Sequence, residues 1–476
     1  MTASLLLSWR EGVAIDADGD ERRVRGPGGL IILRQLAPAL LTAIDQLGTS
    51  GVEEDCLAQQ ILASAGAGVL AQWYYTLQKL ARRGLLCRVV QADGRRLATL
   101  VPTSPNFVLI PPLVYLDRSY LLSRFAYLRR EAASMILESP LAHCRIILDD
   151  ERTLAVIGAL TKPATAQEVS ERVNCLSAEA VGLLLNLFAS AGMIQESGND
   201  GSERESPAVS SWEFHDLLFH TRSRKGRCDA PFGATYRLAG RLEPPHAVKP
   251  RVNSESYELY RPDLALSPKD DPPLAEVMER RRSLRNYDDH PLTARQLGEF
   301  LYRVARVKDN REVEMETPSG PVRMTFVSRP YPSGGALYEL EFYIAVCACD
   351  GLSPGLYHYD GQQHRLVRMR EQRAEVEQML ADAAASAEIP TERVQVLIIL
   401  AARFQRLAWK YASIAYALIL KHVGVVYQTM YLTATAMNLA PCALGGGDAD
   451  LFARAACTDY YEETSVGEFL LGSKKE

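Results

Sequence analysis

Across 476 residues no two cysteines are spaced CxxC, and the nine present are odd in number and scattered. A disulfide framework and a structural zinc site are therefore not expected, and a reducing, cytoplasmic setting is. Basic excess is also missing. The formal net charge is −5, which argues against a dedicated nucleic-acid binder. No long apolar run is uninterrupted: Ala415–Leu444 contains Lys421, His422, Gln428 and Asn438, so it reads as a buried helix and not as a membrane span. The first residues, MTASLLLSWREGV, lack the basic start and long apolar core of a signal peptide. There is no GxxxxGK[ST] loop, no GxGxxG fingerprint, no GxSxG elbow, and no His/Asp/Glu set with metal spacing. What is present is ordinary for globular protein, with 47% apolar and 23% charged residues. The length exceeds one ordinary core and points to two to four domains.

Composition shifts once. Residues 195–211, QESGNDGSERESPAVSS, have no apolar periodicity and read as a linker over 196–211. Ahead of it lies a weak internal repeat. The first copy has ALLTAIDQLG and then VLAQWYYTLQKLARRGLLCRV; the second has TLAVIGALT and then AVGLLLNLFASAGMIQE. Each copy reads as three helices and a strand, the last helix ending at Gly84 or Gly192, where glycine suits a left-handed C-cap. That order is expected of two winged-helix domains, 1–100 and 101–195. DNA reading would need basic residues on the third helix. The second copy has none there and the first only Lys79, Arg82 and Arg83. An extended peptide laid against an edge strand suits the pattern better, with a scaffold role as the alternative.

From Trp212 to the end, 212–476, helical and strand patterns interleave as in an α+β sandwich. Ala275–Leu284 and Leu297–Val307 read as helices, and Met324–Ser328 and Leu340–Cys349 as strands. Gly355–Met369 reads as a hairpin around Asp-Gly. Val394–Arg403 reads as a buried central strand, Leu407–Gly424 (LAWKYASIAYALILKHVG) as one helix, and Glu468–Ser473 as a last strand.

Three features carry chemistry. Arg281, Arg282, Ser283 and Arg285 crowd a helix end in MERRRSLRNYDD, a donor set that suits phosphate. Pro332, Ser333, Gly334 and Gly335 lie in RPYPSGGALYELEF, and Leu444, Gly445 and Gly446 in CALGGGDAD; such glycines let backbone N–H groups approach a ligand. Lys410 and Tyr411 open the apolar helix.

Arg-Arg-Ser-x-Arg, PSGGALY-x-LE-x-Y, the Lys-Tyr pair, and a Leu/Ala-rich helix followed by Gly-Gly together resemble the SagB-type dehydrogenases of the nitroreductase superfamily. Within these they are most similar to the thiazoline/oxazoline (azoline) oxidases of ribosomal peptide biosynthesis, cyanobactin oxidases included. The resemblance spans Trp212–Gly472 and takes in WEFHDLLFHTRSRKGR. The N-terminal repeat resembles the leader-recognition modules found beside such enzymes. The resemblance implies an FMN-dependent nitroreductase-like α+β sandwich preceded by two winged-helix domains, with FMN at a homodimer interface. It implies that Arg281, Ser283 and Arg285, with Arg282 close by, hold phosphate and ribityl chain. Ser333–Gly335 would run beside the flavin ring, Leu444–Gly446 would face the flavin tail, and Lys474 or Lys475 would add a phosphate contact. Two departures stand out: Glu339 where relatives often have Pro, and GSKKE where a GKP-like ending is common.

The implied reaction dehydrogenates an azoline in a modified peptide, with dioxygen as electron acceptor. A free phenol is a poor base at neutral pH, and the adjacent Lys410 supplies the cation that favours a phenolate at Tyr411. Two other functions remain open: an NAD(P)H-dependent nitroreductase acting on small molecules, and a leader-peptide-binding scaffold with a degenerate flavin domain.

Overall fold

In a computed structural model, the described residues are 3–27, 29–109, 117–198, 205–250, 254–264, 271–369 and 373–475. The chain divides into two compact units, Met1–Ala230 and Pro231–Glu476. The division falls past the segment 196–211 expected to mark it. Of that segment, 199–204 lie outside the described residues. The following residues are folded: Ser206 caps a helical turn, Pro207–Ser210, and Glu205 pairs with Arg124 at 2.7 Å. The motif Trp212–Arg227, assigned above to the oxidase domain, also lies in the first unit. Its helix Phe214–Arg222 is anchored there by Arg222, which donates to the Tyr127 hydroxyl at 2.6 Å and pairs with the buried Glu138 at 2.9 Å. Burial pushes the Glu138 carboxyl up, but Arg129, Arg222 and Tyr127 overcome it and hold the group low.

Each half of the first unit has the expected three helices and a strand. Pro38–Gln46 and Glu54–Arg82, the latter broken at Gly66, precede Leu86–Ala92. Arg152–Ala159, Ala166–Val173 and Ala178–Ser190 precede Ile194–Glu196. Gly84 and Gly192 both take φ +67°, the left-handed cap expected of them. The two halves share one sheet, however. The strand Arg95–Pro102 pairs antiparallel with Cys144–Leu148, which joins them in one sheet of seven strands among the described residues. A strand edge left open by one half is thereby satisfied by the other. Val90 and Leu100 share a core with Val181, Leu184 and Phe188. A further sheet, Ala14–Asp18, Glu21–Gly26 and Gly29–Leu33, ends on the last of these strands, where Leu30 and Ile32 are exposed.

The second unit is built on an antiparallel sheet. Its order is Ser256–Glu258, Arg365–Arg368, Gly355–Asp360, Leu340–Val346, Val396–Arg403, Glu463–Ser473 and Leu439–Ala443. The two central strands, LEFYIAV and VLIILAAR, are apolar on both sides because both faces are covered. Phe342 and Ile344 face helices Ala294–Ala305 and Ala415–Ala436; Tyr343 and Ala345 face Arg373–Ala387 and Ala449–Ala456. This is the α+β sandwich expected from the sequence. The hairpin at Asp360-Gly361 forms as read. The strand Asp309–Thr317 was not anticipated; its charged residues alternate on an exposed hairpin with Gly320–Ser328. The helix expected over Ala275–Leu284 stops at Arg280. No single helix among the described residues is long and apolar enough to cross a membrane.

The expectation that Leu407–Gly424 forms one helix is incorrect. Helix Phe404–Ala408 ends, Tyr411–Ala412 pairs with Gly233–Ala234, Ser413 takes φ +65°, and a new helix, Ala415–Ala436, begins. The cause is tertiary. The Lys410 carbonyl accepts the N–H groups of both Thr235 and Tyr236 at 3.0 Å. Buried Trp409 donates its indole N–H to the Leu242 carbonyl at 2.8 Å. Buried Arg406 spreads its guanidinium over the carbonyls of Leu337, Pro245 and Thr325 at 2.6–3.0 Å. Burial lowers its pKa to about 10. The first of these bonds satisfies the Lys410 carbonyl that a continuous helix would have used, and the side-chain bonds of Trp409 and Arg406 hold the segment in place.

Candidate active site

Lys410 and Tyr411 sit in this break, not on a helix surface, so their side chains need not diverge by the helical angle. Both reach the loop Ser333–Ala336. An added Cβ at Gly335, which takes φ +65°, would stand 2.7 Å from the Tyr411 hydroxyl and 3.0 Å from Lys410 Nζ. The two polar tips therefore converge on one backbone point. Lys410 Nζ also lies 5.7 Å from the Tyr236 ring centroid and 5.5 Å from that of Tyr411. Both residues are half-buried. Tyr236 had no sequence signal, because only the pairing with Gly233–Ala234 brings it here.

The loop is held from beneath. Gly334 N–H donates to His422 Nε2 at 2.8 Å, and His422 Nδ1 lies 2.7 Å from Glu339 Oε1. Ser333 Oγ donates to Glu339 Oε2 at 3.3 Å and accepts Tyr338 N–H at 3.0 Å. Glu339 is wholly buried. Pro332 is exposed at the loop's start.

The cationic group gathers along the sheet edge Leu439–Ala443. Leu284 N–H donates to the Pro441 carbonyl at 2.8 Å, Arg285 Nε to Cys442 Sγ at 3.4 Å, and Ser283 Oγ lies 2.8 Å from the Tyr431 hydroxyl. Arg281 stands over the Tyr431 ring, 5.3 Å from its centroid, and Tyr431 accepts Ala443 N–H at 2.8 Å. Arg282 is exposed. Among the described residues no carboxylate pairs with Arg281, Arg282 or Arg285. Leu444 follows the edge strand, buried, with its N–H on the Glu468 carbonyl at 2.9 Å. Gly445 and Gly446 are exposed with nothing within 4 Å of an added Cβ. A backbone bridge between Tyr287 and Lys474 brings the chain end beside Arg285, although Lys474 Nζ itself donates to Asn438 Oδ1 at 3.1 Å. Lys475 is exposed. Tyr431 and Cys442 organise this group and carried no sequence signal.

The loop group and the cationic group are not brought together. Both lean on the helix Ala415–Ala436, one through His422 and the other through Tyr431. Nine positions apart at 100° per residue, these side chains leave opposite sides of the helix, about 13 Å apart along its axis. Among the described residues no cluster of three or more His, Cys, Asp or Glu is placed to hold a metal ion.

Three family models match in sequence along the chain. Residues 1–110 match the ThcOx helix turn helix domain, 120–229 the cyanobactin oxidase ThcOx, and 278–472 the nitroreductase family. A protein of Methanocaldococcus jannaschii named as a nitroreductase is 29% identical over 191 residues, covering 40% of this chain and 85% of that protein. Among solved structures, a nitroreductase-named protein of Anabaena variabilis is 22% identical with a TM-score of 0.36, covering 53% of this chain. The match spans 45% of that chain, less than half its length. The Escherichia coli microcin synthetase McbBCD complex, with truncated pro-MccB17 bound, is 19% identical with a TM-score of 0.35, covering 58% of this chain and 99% of that one.

Proposed function

We propose, from the match of residues 278–472 to the nitroreductase family and of 120–229 to the cyanobactin oxidase ThcOx, that the chain is an FMN-dependent oxidase converting thiazoline or oxazoline rings of a modified peptide to azoles. The observation that carries the reading is the convergence of Lys410 Nζ and Tyr411 OH on Gly335, a backbone position with no room for a side chain.

The residues present suit FMN. Arg281, Ser283 and Arg285 form a donor set without carboxylate partners among the described residues, fit for a phosphate dianion. Leu444–Gly446 and Lys474 adjoin it. Gly335 leaves a concave surface at the Lys410–Tyr411 tips that a methyl group would fill. The opposite-sided placement of the two groups on one helix supports a homodimer, in which a second copy would complete each site.

FMN, when bound, would supply the hydride acceptor, with dioxygen as the proposed final electron acceptor. The chain's own part is to hold the ring and move a proton. As the phenolate, Tyr411 would take the proton from one ring carbon on its oxygen and become the phenol as the neighbouring carbon gives up a hydride, so the ring loses two hydrogens and gains one double bond. Lys410 Nζ stabilises the phenolate before this transfer and gives Tyr411 a fixed electrostatic partner. The backbone bonds from Thr235 and Tyr236 and the indole bond of Trp409 keep both tips in place. Incubating the protein with an azoline-bearing peptide in air, without NAD(P)H, should remove two hydrogens per ring by mass spectrometry. Turnover that requires NAD(P)H would favour a nitroreductase acting on small molecules. Protein purified without flavin, and unable to take it up, would favour a scaffold.

A further inference from the structure

Glu339 and His422 make a buried polar chain where packing alone would call for apolar residues. A wholly buried carboxylate is costly unless its oxygens are bonded. Here both are: Oε1 by His422 Nδ1 at 2.7 Å and Oε2 by the Ser333 hydroxyl at 3.3 Å. The geometry also settles the imidazole. Gly334 N–H can only donate, so His422 Nε2, 2.8 Å away, must be bare, and the ring proton sits on Nδ1 facing Glu339. One tautomer of His422 therefore ties the carboxylate to the Gly334 amide.

That amide is one residue from the site. An added Cβ at Gly334 would lie 3.2 Å from His422 Nε2, and one at Gly335 would meet the Tyr411 hydroxyl and Lys410 Nζ. The loop is thus clamped between the imidazole on one side and the Lys410–Tyr411 tips on the other. We propose that His422 and Glu339 are positioning residues: through the Gly334 amide they set the loop Ser333–Gly335, and with it the placement of Lys410 and Tyr411. This rests on the oxidase reading for its kinetic consequence but not for the structural one. Histidine is suited because its two nitrogens act in opposite senses, one donating down to a buried anion and one accepting from the loop.

The two amide side chains split the imidazole in half. His422→Gln places a carbonyl oxygen near the Nε2 position and keeps an acceptor for Gly334 N–H. His422→Asn places its amide near the Nδ1 position, keeps a donor for Glu339, and leaves Gly334 unbonded. Full-length protein with FMN added is compared by amide hydrogen exchange at Gly334, by the visible band of bound FMN, and by steady-state turnover of an azoline peptide. The asparagine variant should exchange Gly334 faster and shift the flavin band. Its kcat should fall about 10²-fold, the scale of an ångström-sized misplacement, at unchanged KM. The glutamine variant should keep Gly334 protected and retain most turnover. The proposal is overturned if the two variants behave alike, if Asn leaves Gly334 exchange at the wild-type rate, or if exchange rises with no change in kcat. Wild-type protein that protects Gly334 yet never oxidises an azoline would count against the oxidase reading alone, with exchange and the flavin band still deciding the positioning role.

Discussion

Replacing Gly335 by alanine separates stability from chemistry at this site. The new methyl carbon would lie 2.7 Å from the Tyr411 hydroxyl and 3.0 Å from Lys410 Nζ, closer than a Cβ tolerates. Both obstacles are side-chain tips, so relief comes by pushing them away and not by moving the sheet. The stability cost is then mostly that of alanine at φ +65°, about 1–2 kcal/mol. For a unit of this size each kcal/mol lowers Tm by about 2–4 °C, so the calorimetric transition that responds to added FMN should drop by about 2–8 °C. The catalytic cost is larger, because both polar tips leave their places together; a shift of this kind costs about 10²-fold in kcat. FMN stoichiometry should stay at the wild-type value. Two controls bound the argument. Gly320→Ala, at φ +107° with nothing within 4 Å of the added carbon, should lower Tm through backbone strain alone and leave turnover unchanged. Gly335→Ala in a Tyr411→Phe background loses the nearest clash, so it should cost little activity beyond Tyr411→Phe alone. Near-normal turnover of Gly335→Ala with FMN bound would refute the reasoning, since the tips would then be free to retreat without consequence.

Arg281→Ala should release FMN on dialysis, because a phosphate dianion loses a charge-assisted partner worth about 1.5–3 kcal/mol; undiminished flavin occupancy would remove Arg281 from the phosphate site. Tyr411→Phe and Lys410→Met should each lower turnover by about 10²–10⁴-fold with FMN retained, and the double variant little further, as residues acting as a unit are non-additive; additive losses would mean the two act separately. In the N-terminal unit, Leu30→Ser with Ile32→Ser on the open strand edge should raise KM for leader-bearing peptide and leave leaderless peptide unaffected; an equal effect on both would make the unit a scaffold. Burial pushes the Glu341 carboxyl up, but His358, Arg329 and Arg403 outweigh it and hold it near about 2. Its unfolded value is higher, about 4.3, so its stabilisation is complete above about pH 4.3 and fades as pH falls toward 2. The melting difference between wild type and Glu341→Gln should close over that interval, and a pH-independent difference would contradict the ion-pair origin.

Local patterns in the sequence determined much of this protein. The glycines that end the third helix of each N-terminal repeat are required by a left-handed cap, and Gly84 and Gly192 adopt it. Apart from Glu341 and Arg403, LEFYIAV and VLIILAAR are apolar on both faces, as suits strands covered on both sides, and they lie side by side at the sheet's centre. The donor set around Arg281 announces itself by spacing. Tertiary structure decided the rest. The apolar run from Leu407 has helical composition throughout, yet backbone groups of Thr235 and Tyr236, far away in the chain, capture the Lys410 carbonyl and break the helix where the Lys-Tyr pair sits. Nothing local shows that Arg95–Pro102 and Cys144–Leu148, one from each N-terminal repeat, complete each other's edges. Glu339 appears in the sequence only as a departure from the residue its relatives often carry. Its role follows from His422, 83 residues onward. Periodicity along a chain records how deeply each residue is buried; which distant donor meets which acceptor is set by the packing of the sheet and its helices, and that pairing brings Lys410, Tyr411 and Gly335 to one point.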